Sequence, residues 1–400
     1  MRIASSLQRP LWILVLAVLG IIAAQGTGQM IFARFGYLLM ALLGITVLWA
    51  LYAVSGIRIE RHVLTPRVVV GDTIRERITI INLWPVPRNM VEVIDDSALP
   101  ERMAGVVLDL GVRQERQRVW RSRAVIRGVY SLGPTLVVGS DPFGLFRIER
   151  RFVAQDRVLV HPRPRQVRLS AIGRSVMTGQ RTSGRRISDD APLVVSVREY
   201  RPGDSVQRVH WRSTAKRGQL MIKEGVNEPG VSAWIVIDAN VAVQEWRGLS
   251  FMPGSMPIPD STEEYAVAAA ASVAQQWIAQ GHAVGLVAHG LVPIDMQPQR
   301  GLTQRLALFD GLAALRCGGN TPLTEVCGLH RFSAGHTVCV ITSDTDPTWI
   351  NAVAMLKIQG VDVFVMLIEP LQFGGRRDMQ SVRDALARVN IDYNRASFVQ

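Results

Sequence analysis

Lysine is almost missing from this chain. Of the 45 Lys and Arg residues in 400, only Lys216, Lys223 and Lys357 are lysine. That bias explains the choice of cation but not where the cations sit. Cysteine is scarce too: Cys317, Cys327 and Cys339 are too few for a disulfide framework and lack the close pairing of a zinc site. They read as reduced, small apolar residues. No Gly-rich stretch ends in Gly-Lys-Ser/Thr, which rules out a nucleotide-binding P-loop. With 48% hydrophobic and 20% charged residues the chain has material for a core and is not disordered throughout, and its length suits two or three folded units.

Acidic residues are absent from the first 57 positions, where Arg2, Arg9 and Arg34 are the charges. Residues 58–187 carry 24 Arg against 12 acids, and the rest of the chain is slightly acidic, so the overall +12 belongs to the segment after the apolar N-terminus. A basic module beside a bilayer is drawn to anionic head groups. Nucleic acid would use the same charges, but neither stacking aromatics nor a recognition helix accompanies them, so no nucleic-acid partner is expected.

Two long apolar runs open the chain, Leu11–Ala24 and Phe35–Val54, around Gln25-Gly26-Thr27-Gly28-Gln29. The second is long enough to cross a hydrocarbon core of about 30 Å, and the first spans by recruiting the linker. Arg2 and Arg9 precede the pair, Arg58, Arg61 and Arg67 follow it, and only Arg34 lies at the turn. The positive-inside rule then puts both termini and everything after residue 57 in the cytoplasm, as a multi-pass protein of the inner membrane. A cleaved signal peptide is the competing reading; a full-length spanning segment so soon afterwards argues against it.

Residues 58–165 read as a β-sandwich-like module of short strands, among them Thr73–Asn82, Val91–Ile94, Arg116–Ile126, Thr135–Val138 and Val158–Val160. Asp141-Pro142-Phe143-Gly144 reads as a turn, with Phe143 and Phe146 plugging one end of the sandwich. His161-Pro162-Arg163-Pro164-Arg165 is extended by its prolines and marks a boundary. Residues 166–230 hold a linker, Gly173–Arg186, and then an unusual segment.

That segment runs from Val197 to Glu224 and contains Glu199-Tyr200-Arg201-Pro202-Gly203-Asp204, His210-Trp211 and Lys223-Glu224. Val194–Tyr200 is strand-like, and Pro202-Gly203 suits a type II turn. Asp204 can cap a short helix ending at Gly218, with Val206, Val209 and Trp211 facing inward. The pattern Arg-x-Tyr-x-Pro-Gly-Asp, then His-Trp, then Lys-Glu resembles the signature of the domain-of-unknown-function 58 family, and residues 127–146 resemble that family's upstream block. The resemblance implies a bacterial membrane-anchored protein. Such proteins are often encoded beside MoxR-type AAA+ ATPases and transglutaminase-like membrane proteins, which makes those two its implied partners besides membrane lipid. It implies no established activity.

Residues 231–400 alternate strands (Val231–Ile237, Ala283–Ala288, Thr337–Thr342, Val361–Leu367) with helices (Glu263–Ala279, Leu302–Leu315, Trp349–Ile358, Met379–Val389). This predicts an α/β domain on a parallel sheet, with ligands beyond the strands' carboxyl ends. Asp238, and Asp344 with Asp346, fall at that edge. The arrangement resembles the von Willebrand factor A domain, whose Asp-x-Ser-x-Ser motif holds Mg²⁺. Here the motif reads Asp238-Ala239-Asn240-Val241-Ala242, so Asn240 offers one oxygen and Ala242 none; a degenerate edge without bound metal is expected, with Asp238 capping its own loop. The Met- and Pro-rich stretch Phe251–Pro259 lies on the same edge and reads as a docking lip or a loop folded over its own sheet.

The expectation is therefore a membrane-tethered adaptor or scaffold that docks a protein partner, with no cofactor and no catalysis of its own. The signature residues Tyr200, Arg201, Pro202, Gly203, Asp204, His210, Trp211, Lys223 and Glu224 are expected to serve structure or docking. The alternative is a hydrolase using His210 with Glu199, Asp204 or Glu224, although no nucleophile elbow accompanies them.

Overall fold

The computed structural model describes residues 2–3, 8–101, 105–153, 156–165, 196–200, 211–224, 232–250 and 258–396. The chain divides into two compact units, Met1–His161 and Pro162–Gln400.

The N-terminal unit begins with a short strand β1 (Arg2–Ile3) and two helices, α1 (Gln8–Thr27) and α2 (Met30–Val54). Both helices are long and apolar enough to cross a membrane. Gly28 takes a positive φ of 69° at the turn between them. Arg34 lies inside α2, one turn beyond the position read from sequence. The helices pack through small residues. Ala17 is fully buried, and a Cβ at Gly36 would stand 2.7 Å from the Ala17 carbonyl, so the backbones meet where side chains are missing.

The strands that follow are β2 (Ile57–Val63), β3 (Arg67–Val69), β4 (Thr73–Asn82), β5 (Arg88–Asp95), β6 (Val106–Leu110), β7 (Glu115–Arg123), β8 (Gly128–Ser131), β9 (Thr135–Ser140), β10 (Arg147–Phe152) and β11 (Arg157–His161). They form sheets ordered β1-β10-β9-β5-β6, β2-β4-β7 and β3-β11-β8. All pairings are antiparallel except β3 with β11. The end of α2 belongs to this module. Ala50 and Val54 join Ile57, Ile78, Val91, Trp120 and Val137 in one core, and Gly139 on β9 leaves no room for a side chain against Ala53.

A buried ion cluster crosses the sandwich. Arg61 on β2 donates through Nε to Glu76 on β4 at 2.6 Å, through Nη1 to Asp95 on β5 at 3.0 Å and through Nη2 to Ser97 at 3.0 Å. All three charged side chains are buried. Burial pushes the Glu76 carboxyl up, while the Arg61 charge and hydrogen bond pull it down. Arg61, placed by sequence among cations facing the head groups, is thus held inside the protein. The Asp141 turn forms as expected, with its carboxylate accepting from the Phe143 and Phe146 amides and Gly144 at a φ of 65°. Phe146 packs on the core, but Phe143 is 64% exposed and plugs nothing: the turn's geometry aims its side chain outward.

The C-terminal unit holds β12 (Ser196–Glu199), α3 (Trp211–Arg217), β13 (Met221–Glu224), β14 (Ser232–Ile237), β15 (Trp246–Ser250), β16 (Ile258–Ser261), α4 (Thr262–Ala279), β17 (Ala283–His289), β18 (Pro293–Gln299), α5 (Leu302–Ala314), α6 (Leu323–Leu329), β19 (Thr337–Thr342), α7 (Ile350–Ile358), β20 (Asp362–Leu367), α8 (Gln380–Arg388) and β21 (Asp392–Arg395). Its main sheet is ordered β18-β17-β14-β19-β20-β21. The central strands are parallel and buried on both faces: Ala233, Ile235 and Ile237 of β14 face a core with α4 and α5, while Trp234 and Val236 face one with α6, α7 and α8.

The sheet has two strands more than the four expected, and one of them corrects the parallel reading. β18 runs antiparallel to β17 at the sheet edge, while β21 adds a parallel strand at the other edge. Pro293 and Pro298 disguised β18, since proline reads as a strand breaker but is tolerated where one side of a strand is unpaired. β15 and β16 form a hairpin on either side of the Met- and Pro-rich stretch, of which residues 251–257 lie outside the described ones.

Candidate functional site

The sheet order reverses between β14 and β19. The chain steps outward from β14 to β17 on one side and to β19 on the other, leaving a crevice at their carboxyl ends. Asp238 follows β14 there and is only 3% exposed. Its Oδ2 accepts from the Thr342 hydroxyl at 2.7 Å and its Oδ1 from the Asn240 amide at 3.3 Å. The Asp238 amide itself donates to Ile341 at 2.9 Å. Burial drives the carboxyl's pKa from 3.8 to about 6, against the two hydrogen bonds that lower it and with a push from Asp344.

Polar turns carry the edge outward from Asp238. Asn240 caps the turn Val241–Val243 by accepting from the Ala242 amide at 3.0 Å. Gln244 Nε2 donates to the Asp238 carbonyl at 3.0 Å. Across the crevice, the Ser343 hydroxyl donates to the Val243 carbonyl at 2.7 Å. The Asp344 amide donates to Thr342 Oγ1 at 3.0 Å, Asp344 Oδ1 accepts from the Asp346 amide at 2.9 Å, and Asp346 accepts from the Thr348 amide at 3.0 Å. Burial raises the Asp344 pKa, and the hydrogen bond from Asp346 opposes it. The expected loop cap at Asp238 is present, though a buried threonine hydroxyl is its shorter partner. Nothing in the sequence pattern pointed to Thr342, because it lies 104 positions away and only the parallel register of β14 and β19 brings it close.

The edge is one protein ligand short for a divalent cation, because Ala242 supplies no oxygen where a hydroxyl would be needed. Among the described residues no group of three His, Cys, Asp or Glu side chains is placed to hold a metal. Burial pushes the Cys327 thiol up to about 12, and Cys339, fully buried in β19, is raised as well, which disfavours the thiolate in both.

Beyond β19 and β20 the same edge opens into a cleft of about 640 Å³ lined by Thr345, Asp346, Pro347, Leu371, Arg376, Arg377, Asp378 and Ser381. Both signs of charge border an exposed Leu371. Local sequence does not reveal this cleft, because Asp346 and its neighbours come from the segment after β19 while Leu371, Arg376, Arg377 and Asp378 come from the one after β20.

The signature segment is only partly described. Tyr200 closes the β12–β13 hairpin, its amide donating to Leu220 at 2.9 Å, and Val197 pairs with Lys223 and Ser196 with Glu224. α3 ends at Gly218, which takes a φ of 66° and donates to Thr214 at 2.9 Å, as the sequence predicts. Trp211, expected to face inward, is 66% exposed at the start of α3. With one short helix and a two-stranded hairpin as its setting, the indole has no apolar layer to enter among the described residues. Arg201, Pro202, Gly203, Asp204 and His210 lie outside the described residues, as does the linker Gly173–Arg186.

Fold and site together define a mixed α/β unit with a parallel-rich sheet and a buried aspartate at its switch point, following an N-terminal unit of two apolar helices and a β module. Residues 196–352 match the family model "Protein of unknown function DUF58". The chain is also similar to the uncharacterized protein YeaD of Bacillus subtilis (strain 168), 26% identical over 186 residues that make up 44% of this chain and 46% of that protein. The match thus spans about half the length of this relative. The chain resembles solved structures weakly: the C-terminal domain of wzt at 11% identity, over 28% of this chain and 75% of that one, with a TM-score of 0.21. The human seminal plasma complex of zinc 2-glycoprotein and prolactin inducible protein matches at 10% identity, over 26% of this chain and 92% of that one, with a TM-score of 0.20.

Proposed function

We propose that this protein is a membrane-anchored adaptor of the inner membrane that presents its α/β unit to a cytoplasmic protein partner and performs no chemistry itself. The observation that carries the anchoring is the apolar surface of α1 and α2. Leu11, Trp12, Leu16, Ile31, Leu38 and Leu48 are all more than half exposed, a surface a water-soluble unit would bury and a bilayer covers. The pairing of β1 with β10 supports a hairpin with both ends on one side of the membrane, and the flanking arginines favour the cytoplasm for that side. For the docking role, the support is the cleft beyond β19 and β20. Its mixed charges around Leu371 are suited to a protein surface, which carries both signs, more than to a small apolar ligand. The partner proposed is a MoxR-type AAA+ ATPase, with a transglutaminase-like membrane protein in the same assembly, as the family resemblance implies.

The full chain should stay with bilayers after carbonate washing, and a reporter fused after Gln400 should be active in the cytoplasm. Capture from solubilised membranes with nucleotide trapped should recover an AAA+ ATPase, and Arg377→Glu should reduce that recovery. Release by carbonate defeats the anchor. Retention without ATPase recovery defeats the adaptor reading alone.

A further inference from the structure

An exposed aromatic and apolar edge lies beside the end of α2. At about 1.5 Å per residue, some 20 of the 25 residues of α2 fill a hydrocarbon core, which puts Trp49 and Tyr52 at its border. Trp49 and Tyr52 are in ring contact at 6.3 Å, and Tyr52 meets Trp84 at 5.8 Å. Trp84 belongs to the β4–β5 loop, Leu83-Trp84-Pro85-Val86-Pro87, whose apolar side chains Leu83, Trp84 and Val86 all stand more than 40% exposed. Next to it the β6–β7 turn offers exposed Val112 and Arg113, whose amide donates to the Trp84 carbonyl at 3.2 Å.

This loop is not loose. The Leu83 amide donates to Gly56 at 2.8 Å, the Asn82 side chain donates to Val86 and Gly111 at 2.8 and 2.9 Å, and the Tyr52 hydroxyl donates to Pro87 at 3.1 Å. The Trp84 ring fills the space where a side chain at Gly56 would stand. Arg88 locks it from behind: its guanidinium is 1% exposed and lies 3.7 Å from the Tyr52 ring centre and 4.7 Å from that of Trp84. A buried cation stacked against both rings rigidifies the aromatic pair. A rigid, apolar, aromatic edge with a flanking cation, continuous with a helix of spanning length, has the composition of a membrane–water interface.

We propose that the Leu83–Val86 loop, together with Trp49, Val112 and Arg113, seats in the head-group layer of a phospholipid bilayer and fixes the sandwich against the membrane surface. This rests on the reading of α1 and α2 as membrane spans. The test places a spin label at single cysteines in a Cys317→Ala background, where Cys327 and Cys339 stay buried, with the full chain in phosphatidylcholine–phosphatidylglycerol vesicles. Val86→Cys is the probe, Leu38→Cys, exposed midway along α2, the control for spanning, and Val129→Cys, on β8 beside the core cluster that α2 does not join, the aqueous control. The ratio of oxygen to nickel-chelate collisions should be about threefold or more higher at Val86 than at Val129, and highest at Leu38. A Val86 ratio equal to that of Val129, with Leu38 in hydrocarbon, overturns the loop contact and leaves the spans standing. An aqueous Leu38 overturns both.

Discussion

Titration of Asp238 gives the most direct check on the geometry of the sheet edge. Its carboxyl is 3% exposed and its pKa stands at about 6 instead of 3.8. The folded chain therefore holds this proton more tightly than the unfolded chain does. The resulting stabilisation is complete below about pH 3.8, declines as the pH rises towards 6, and is gone at neutral pH, where the charged carboxylate is buried. A displacement of about two units corresponds to ~3 kcal/mol. Asp238→Asn supplies a neutral isostere that still accepts from the Asn240 amide and can donate to the Thr342 hydroxyl. It should match the parent at pH 4 and exceed it in stability at pH 8 by up to ~3 kcal/mol, less what the altered Thr342 contact costs. Hydrogen exchange of β14 peptides in the full chain, held in nanodiscs, reads that difference. Infrared spectra of parent minus variant should show a protonated carboxyl band with a midpoint near pH 6. A midpoint at or below about 4.3, the range of an ordinary carboxylate, together with a variant equally destabilised at both pH values, refutes the argument that burial governs this group.

Other outcomes follow from packing. Arg61→Met strands Glu76 and Asp95 in the sandwich without their cation and should destabilise the N-terminal unit by ~3–5 kcal/mol, visible as faster pulse proteolysis of strands β2–β5; Arg61→Met with Glu76→Leu and Asp95→Asn should recover much of the loss. Gly36→Leu drives a side chain into the Ala17 carbonyl, so the α1–α2 pair should part or shift, costing ~1–3 kcal/mol and lowering disulfide trapping between Gly20→Cys and an α2 cysteine at Phe32. No variant at Gly36 should change hydrogen exchange at β14, since the C-terminal unit has its own core.

Much of the architecture was legible in the order of residues. Long charge-free runs become helices at α1 and α2, because a helix satisfies the backbone's hydrogen bonds within the segment and few of their side chains need partners of their own. Strands buried on both faces, such as β14 and β19, read as continuous apolar stretches and were located within a residue or two. Gly218 and Gly144 ended their elements because both needed a positive φ. The Asp238 edge was legible as well, since local spacing fixes which residues follow a strand.

Partnerships between distant residues belonged to the tertiary structure. Arg61 and the exposed arginines around it are the same residue type in the same basic stretch, and only the facing of β2, β4 and β5 makes Arg61 a buried cation bonded to two carboxylates. Thr342 became the partner of Asp238 through sheet register, and the stacking of Arg88 between Tyr52 and Trp84 through the entry of α2 into the sandwich core. Local periodicity encodes which face of an element is apolar. What that face meets, and whether a charge ends in water or against another charge, depends on contacts between segments tens of residues apart, which no pattern within one segment contains.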